Sequence, residues 1–224
     1  MPVNVSLVVS TFGSDEWHDQ GRRALRAVTV TENPFEAFAH HDPDGTLASA
    51  RNHAAEAARG DFLLYLDADD GIGDGYLDAM EEAASESIYL AGLDPPEGKP
   101  LDPERTLFIP SVQYVQDGNC VGAPTIPGWG RPLIDLNCCS IGTLYPRKFF
   151  LELGGFREQL ADGTALSALE DWDLALRAVL AGATLVPVPD AVYCAARRPG
   201  SRNADQSLAG SIRAEHEAAW RARP

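Results

Sequence analysis

The stretch that most constrains this chain is Phe62-Leu63-Leu64-Tyr65-Leu66-Asp67-Ala68-Asp69-Asp70, an apolar run that ends abruptly in three carboxylates. Large apolar residues bounded by acids and glycine predict a buried strand of an α/β sheet. Such sheets bind ligands beyond the carboxyl ends of their strands, which is where Asp67, Asp69 and Asp70 stand. Three carboxylates this close repel one another and need a cation, a shared proton or full solvation. A divalent metal is the sharpest reading, and a solvated turn before a helix near Gly75 is the plain one. A calcium loop carrying Asp67, Asp69 and Asp78 at its first, third and twelfth positions fails: Ile72 stands where the sharp-turn glycine belongs, and the twelfth residue is not Glu.

Around that run the pattern alternates. Residues 3–10 are β-branched and apolar and predict a first strand, with Thr11 to Asp15 as loop and helix cap and a helix over 16–27. Residues 28–31 fit either the end of that helix or a short strand. A strand over 36–41 leads through Asp42-Pro43-Asp44-Gly45 into a helix over 46–58, whose Leu47, Ala50, Ala54 and Ala57 share one face. Gly60 stops it, and the acidic strand follows, giving the βαβαβ order of a parallel, helix-covered sheet. Beyond it the pattern predicts a helix over 75–86, a strand over 87–93 and an exposed loop over 94–105. Strands over 107–116 and 132–145 flank a Gly/Pro-rich excursion containing Trp129, and a helix over 146–153 ends at Gly154-Gly155. A helix over 168–181, strands over 184–188 and 191–195 and a closing helix over 204–223 complete the chain.

At 224 residues and 45% hydrophobic content the chain suits one well-buried domain. A net charge of −15 argues against nucleic acid as a partner. No stretch approaches the roughly 20 apolar residues of a membrane span, and the amino terminus has no signal-peptide pattern, so a cytoplasmic location with no stable membrane anchor is the expectation. Cys120, Cys138, Cys139 and Cys194 lack paired metal-ligand spacing; adjacent Cys138-Cys139 suit a buried strand, and reduced thiols are expected.

A second acidic segment, Ser167-Ala168-Leu169-Glu170-Asp171-Trp172-Asp173-Leu174, opens a predicted helix. Ser167 and Glu170 have capping-box spacing, and early acids gain from the helix dipole. Asp173 and Arg177 are spaced to pair along the helix, at roughly 0.2–0.5 kcal/mol if exposed. Neither explanation needs Asp171, whose place beside Trp172 suits a partly desolvated carboxylate acting as general base.

Taken together, these segments resemble the family 2 glycosyltransferases and their relatives with the GT-A nucleotide-sugar fold. The residues carrying the resemblance are Val5 through Phe12, Leu47 through Asn52, Gly60 through Asp70, Gly154-Gly155-Phe156, Glu170 through Leu174 with Arg177 and Gly182, and Pro199-Gly200-Ser201. The resemblance implies an α/β fold, a three-layer α/β/α sandwich on a mixed, mostly parallel sheet with a Rossmann-like nucleotide-binding half. It divides the chain into a donor half (1–93), an acceptor and catalytic half (94–203) and a carboxyl-terminal helix (204–224).

The same resemblance implies transfer of a sugar from a UDP- or GDP-sugar donor to a hydroxyl acceptor, with inversion. Asp67, Asp69 and Asp70 would hold Mn²⁺ or Mg²⁺ against the diphosphate, Asp69 as the favoured direct ligand. Asp171 would be the base, with Glu170, Trp172 and Trp129 on the acceptor side, although Trp129 could equally be core. Thr11 and Phe12 would line the base pocket and Arg51 would support the nucleotide, although Arg51 could equally pair with a carboxylate and Phe12 could be core. Many relatives carry a histidine before the Pro-x-Ser segment; here Tyr193 to Ser201 has none, which leaves Arg197 or Arg198 as a fixed cation for the diphosphate. His40 and His41, ahead of the Asp42 turn, could approach the nucleotide, and solvated loop histidines are the plain reading. Two alternatives stay open. One is a non-catalytic nucleotide-sugar binding protein; the other is a sugar-1-phosphate nucleotidyltransferase, which should carry a basic glycine-rich loop where Thr11 to Glu16 is acidic. The Ala- and Arg-rich composition points to a GC-rich bacterial or phage source, and a homodimer is compatible with all of these readings.

Overall fold

In the computed structural model, residues 3–31, 34–85, 102–198 and 207–223 are described. The first third is the alternation the sequence predicts: β1 (Val5–Phe12), α1 (Asp15–Thr31), β2 (Glu36–Asp42), α2 (Leu47–Ala57) and β3 (Phe62–Leu66). Residues 28–31 are helical, which closes the choice left open for them. β1 runs parallel to both β2 and β3, with Ser10 opposite His40 and Val9 opposite Leu66, so three carboxyl ends meet at one edge. Neighbours in register share a face and successive residues alternate. Gly21 of α1 lies against Val9 and Thr11, whereas Tyr65, in register with Val8, donates its hydroxyl to the Arg51 carbonyl of α2 at 3.0 Å. The two helices therefore cover opposite faces, and the sheet is the middle of three layers.

The remaining elements are β4 (Gly71–Ile72), α3 (Tyr76–Ser85), a 3₁₀ turn (Pro103–Arg105), β5 (Thr106–Gln116), β6 (Asn119–Thr125), β7 (Leu144–Pro146), α4 (Arg147–Glu152), α5 (Glu170–Leu180), β8 (Thr184–Ala196) and α6 (Ala209–Arg221). The sheet order is β2-β1-β3-β7-β5-β8-β4, with β6 hairpinned onto β5. Long parallel ladders join β1 to β2 and β3 and β5 to β8, while the antiparallel contacts of β7 and β4 are short. Tyr65, Tyr145, Phe150 and Phe156 form a cluster of edge-on and tilted rings under α2 and α4.

Three expectations change. The strand over 132–145 shrinks to Leu144–Pro146, because residues 133–143 are spent on turns, with Cys138 and Cys139 buried in loop instead of strand. The Gly/Pro-rich excursion contains β6, which sequence reading missed although Asp117-Gly118 is a hairpin turn signal; both residues have positive φ. The two short strands over 184–195 are one, Thr184–Ala196, interrupted by a register shift after its partner Pro110. The strand over 87–93 lies outside the described residues. Among the described residues no helix is long and apolar enough to cross a membrane.

Asp173 and Arg177 do pair, but in the interior. Asp173 is fully buried and accepts from Arg157, from Arg177 at 2.9 Å and from His216 of α6 at 2.8 Å, while Arg157 also reaches Glu215 at 2.7 Å. Burial alone would raise the Asp173 pKa; the hydrogen bonds from His216 and Arg157 and the Arg177 charge outweigh it and hold the carboxyl well below the usual range. A carboxyl depressed on folding contributes stability above its unfolded pKa, and that contribution fades as pH falls through the folded value. Asp173→Ala strands two guanidinium groups in a partly buried site, so it should cost about 3–5 kcal/mol near neutral pH. Urea denaturation checks this, and the deficit should shrink below the ordinary aspartate range. A loss under about 1 kcal/mol would place the network among surface ion pairs.

Candidate functional site

Both acidic segments reach one cleft of about 420 Å³, whose walls include Arg51, Asp67, Asp70, Glu170, Asp171, Trp172 and Tyr193. Arg51 organises it. Its guanidinium, 2% exposed, donates to Asp67 Oδ1 and to Glu170 Oε1, each at 2.5 Å, and lies 5.3 Å from the Phe156 ring centre. The carboxylate pairing open for Arg51 is present in the structure. Glu170 is not a capping-box residue: Leu169 holds the N-cap position with no side-chain cap, and Arg51 claims the Glu170 carboxylate. Leu169 also adopts φ +61°, a left-handed conformation that costs a branched residue energy and survives only where surrounding packing enforces it.

Tyr193 of β8 is a site residue that the sequence did not single out. Its hydroxyl donates to Asp70 Oδ2 at 2.8 Å and accepts from the Asp67 N–H at 3.2 Å. The ring has room because Gly142 faces it; a Cβ there would sit 2.3 Å from Tyr193 Cδ2. Asp70 Oδ1 accepts from the Ala196 N–H at 2.8 Å. Burial, and then the Asp67 charge, push the Asp70 pKa up to about 7 against these hydrogen bonds.

Asp69, the favoured metal ligand, is paired with Arg198, whose guanidinium also lies 5.6 Å from the Trp17 ring centre. Arg197 does not join it; it stacks over Tyr114 at 4.0 Å. The ligand oxygens of Asp67, Asp69 and Asp70 lie within 4.8 Å of one another. Arg51 takes Asp67 Oδ1 and Arg198 takes Asp69 Oδ2, which leaves Asp67 Oδ2 and Asp69 Oδ1 without hydrogen bonds among the described residues. A hard, oxygen-only donor set of this kind fits Mg²⁺ or Mn²⁺.

Asp171 sits on the cleft wall, its Oδ1 accepting from the Trp172 N–H at 2.7 Å and from Asn137 Nδ2 at 3.2 Å. Trp172 is buried and donates its indole N–H to the Leu133 carbonyl at 2.7 Å, so it serves as wall and core together. Trp129, 40% exposed, is absent from the cleft wall, although Pro127 of the same turn lines it. Thr11 and Phe12 end β1 outside this cleft; Thr11 is buried and bonded to His41 Nδ1 at 2.9 Å, and Phe12 is exposed. His41 stacks on His18 at 4.8 Å, and His40 meets His53 edge-on.

A family model described as glycosyl transferase family 2 matches residues 30–117. No curated protein sequence matches the chain. Solved structures do. Residues 1–349 of Staphylococcus aureus TarS in complex with UDP-GlcNAc share 18% identity at a TM-score of 0.55, covering 90% of this chain and 61% of that one. A second S. aureus TarS structure gives 16% and 0.57, covering 96% of this chain and 43% of that one. GalNAc-T7 with UDP, GalNAc and Mn²⁺ gives 15% and 0.56, with 89% and 45% covered. The chain thus spans about three fifths or less of the length of these structures. Such likeness establishes the fold, which is GT-A, on a chain that resembles family 2 glycosyltransferases.

Burial, followed by the Glu170 charge, raises the Asp171 pKa to about 7 from an ordinary 3.8. A carboxyl raised on folding contributes stability in full below its unfolded pKa and loses it as pH climbs through the folded value. Asp171→Asn should therefore be more stable than the parent at pH 8, on the order of 2 kcal/mol after discounting for cleft exposure, and no more stable at pH 4. Urea melts at the two pH values test this. An equal difference at both would mean that Asp171 carries no buried-charge penalty.

Proposed function

We propose that this GT-A chain is an inverting glycosyltransferase that moves a sugar from a nucleoside-diphosphate donor to an acceptor hydroxyl. The observation that carries the reading is the buried guanidinium of Arg51, which ties Asp67 at the end of β3 to Glu170 at the start of α5, so that Asp67, Asp70, Glu170 and Asp171 line one cleft, with Asp69 beside it. Residues 1–93 would bind the donor, 94–203 the acceptor, and the helix within 204–224 would close the rear.

In this scheme Thr11 and Phe12, at the carboxyl end of β1, border the nucleotide base. Asp67 and Asp69 would hold Mg²⁺ or Mn²⁺ through their open oxygens, with Asp70 fixed behind them by Tyr193 and Ala196. A bound cation supplies neutralisation of the charge that builds on the departing diphosphate. Arg198 supplies a second, fixed positive charge on the same side through Asp69, taking the position for which sequence offered either arginine.

On the opposite side Asp171 accepts the proton of the acceptor hydroxyl as its oxygen forms the new bond to the anomeric carbon. The anomeric carbon–phosphate oxygen bond breaks on the far face, its electron pair leaving with the nucleoside diphosphate, and configuration inverts. A pKa near 7 suits this duty, because the carboxylate is ionised often enough to act and basic enough to take a proton. UDP-sugar donors are the first choice for trial, since the TarS and GalNAc-T7 structures with the same fold hold UDP or UDP-GlcNAc.

Two substitutions test the scheme. Asp69→Ala should abolish the Mn²⁺-dependent part of nucleoside-diphosphate binding measured by calorimetry, while identical affinity and metal response would remove the strand-end site. Asp171→Asn should bind donor normally yet lower turnover with an acceptor by about 10²- to 10⁴-fold. Full turnover by that variant would pass the base role to another group. Release of UDP marks glycosyl transfer or donor hydrolysis, whereas consumption of pyrophosphate to regenerate a nucleoside triphosphate would mark the nucleotidyltransferase.

A further inference from the structure

We infer that Asn137, in the loop ahead of β7, is the positioning residue that holds Asp171 in its working orientation. This rests on the reading of Asp171 as base but concerns a residue outside both acidic segments. The amide cannot face either way. Its Oδ1 accepts the Cys139 backbone N–H at 3.0 Å, which obliges Nδ2 to be the end that meets Asp171 Oδ1, at 3.2 Å. The Trp172 N–H takes the same Asp171 oxygen at 2.7 Å. Both donors fall on Oδ1, so Oδ2 is the oxygen left to accept a proton from a hydroxyl in the cleft, whose wall includes both Asn137 and Asp171.

Geometry alone makes this a functional arrangement and not a loop staple. A loop amide that only needed to satisfy the Cys139 N–H could be replaced by any acceptor. Here the second half of the amide is spent across 34 residues of sequence on a carboxylate whose neighbours include the Glu170 and Asp67 charges as well as the Arg51 guanidinium. The charged and titratable groups around Asp171 include Glu170 on its own helix, Asp67 after β3, Arg51 of α2, Cys139 in the same loop as Asn137 and Tyr145 of β7, and Asp70, Asp135 and Arg213 of α6 line the same cleft. Among the described residues the cations on the cleft wall are Arg51, whose two short bonds go to Asp67 and Glu170, and Arg213, which donates to the Ile134 and Asp135 carbonyls. Asn137 and the Trp172 N–H are therefore the donors that stabilise the ionised Asp171 directly.

Carboxyl titration of ¹³C-aspartate protein by NMR, with Asp171→Asn to assign the signal, decides the question without any substrate. Asn137→Leu should raise the Asp171 midpoint by about one pH unit. UDP-GlcNAc with Mn²⁺ is the probe for turnover. Where the parent releases UDP, Asn137→Leu should lower kcat about tenfold at pH 7 with KM for the donor unchanged. Asn137→Asp keeps an oxygen for the Cys139 N–H and so preserves the loop if the leucine variant fails to fold; it too should raise the midpoint and depress kcat. A folded Asn137→Leu, or failing that Asn137→Asp, with the parent's Asp171 midpoint overturns the inference. The function can fail separately: a shifted midpoint together with undiminished transfer by Asp171→Asn would leave Asn137 bound to an acid that is not the base.

Discussion

The site depends on one buried cation. Arg51 leaves α2, crosses beneath the cleft and binds a carboxylate from each of two distant segments, the end of β3 and the start of α5. Removing a guanidinium from water costs several kcal/mol, and only short, charge-assisted bonds with good geometry offset that cost. The planar fork suits this duty because separate nitrogens address separate acids, Nη2 for Asp67 and Nη1 for Glu170. A lysine ammonium on a flexible stem offers no such fixed divergence. The backbone beneath is tied too, since Tyr65 of β3 donates to the Arg51 carbonyl. The placement of α2, β3 and α5 is thereby coupled to the charge state of the cleft.

The acids divide into matched and unmatched members. Asp67 and Glu170 are neutralised by Arg51, and Asp173 by Arg157 and Arg177 with a further hydrogen bond to His216, whereas Asp70 and Asp171 have hydrogen bonds but no direct ion pair among the described residues. Glu170, Asp171 and Asp173 leave one helix turn in different directions, as a rotation of about 100° per residue requires. They meet respectively the buried guanidinium, the cleft and the network to α6. The helix start therefore acts as a hub whose structural acids are satisfied on two sides while the third faces the cleft at a cost in stability. The left-handed Leu169 immediately before it is strain of the same kind, localised where the chain must turn to present Glu170 and Asp171 together.

The first third of the fold was legible because its signals are local. β-branched runs, Asp42-Pro43-Asp44-Gly45 and the small-residue face of α2 each specify their own element, and a parallel sheet follows from their order. The carboxyl-end placement of Asp67, Asp69 and Asp70 follows from strand polarity alone. What failed was long-range. Glu170 looked like a capping residue because its spacing from Ser167 is visible in sequence, while its partner Arg51 is 119 residues away. Asp173 and Arg177 looked like an exposed pair because helical spacing does not report that α6 covers them. The hydroxyl of Tyr193 acquires its role only when β8 lies beside β4, and residues 133–143 form loop despite an apolar composition, with Leu133, Ile134, Cys138, Cys139 and Ile141 buried and the Leu133 carbonyl taking the Trp172 indole N–H.

The electrostatics of the strand-end acids set terms for any cation that binds there. With Asp67 held by Arg51, Asp69 by Arg198 and Asp70 raised to about 7, the cluster is far from three free negative charges. Two open oxygens are too few to dehydrate Mg²⁺ or Mn²⁺ fully, and ions of this kind bind through one or two carboxylates together with substrate phosphates. The diphosphate would supply the missing oxygens and the cation would supply the missing positive charge. In the proposed scheme each would be a partner the other needs, and donor and metal would be coupled through the same carboxylates. Arg198 is paired with Asp69; in that scheme it would compete with the cation for one carboxylate while its charge would attract the phosphate, lowering the demand for metal without removing the oxygens that would hold one.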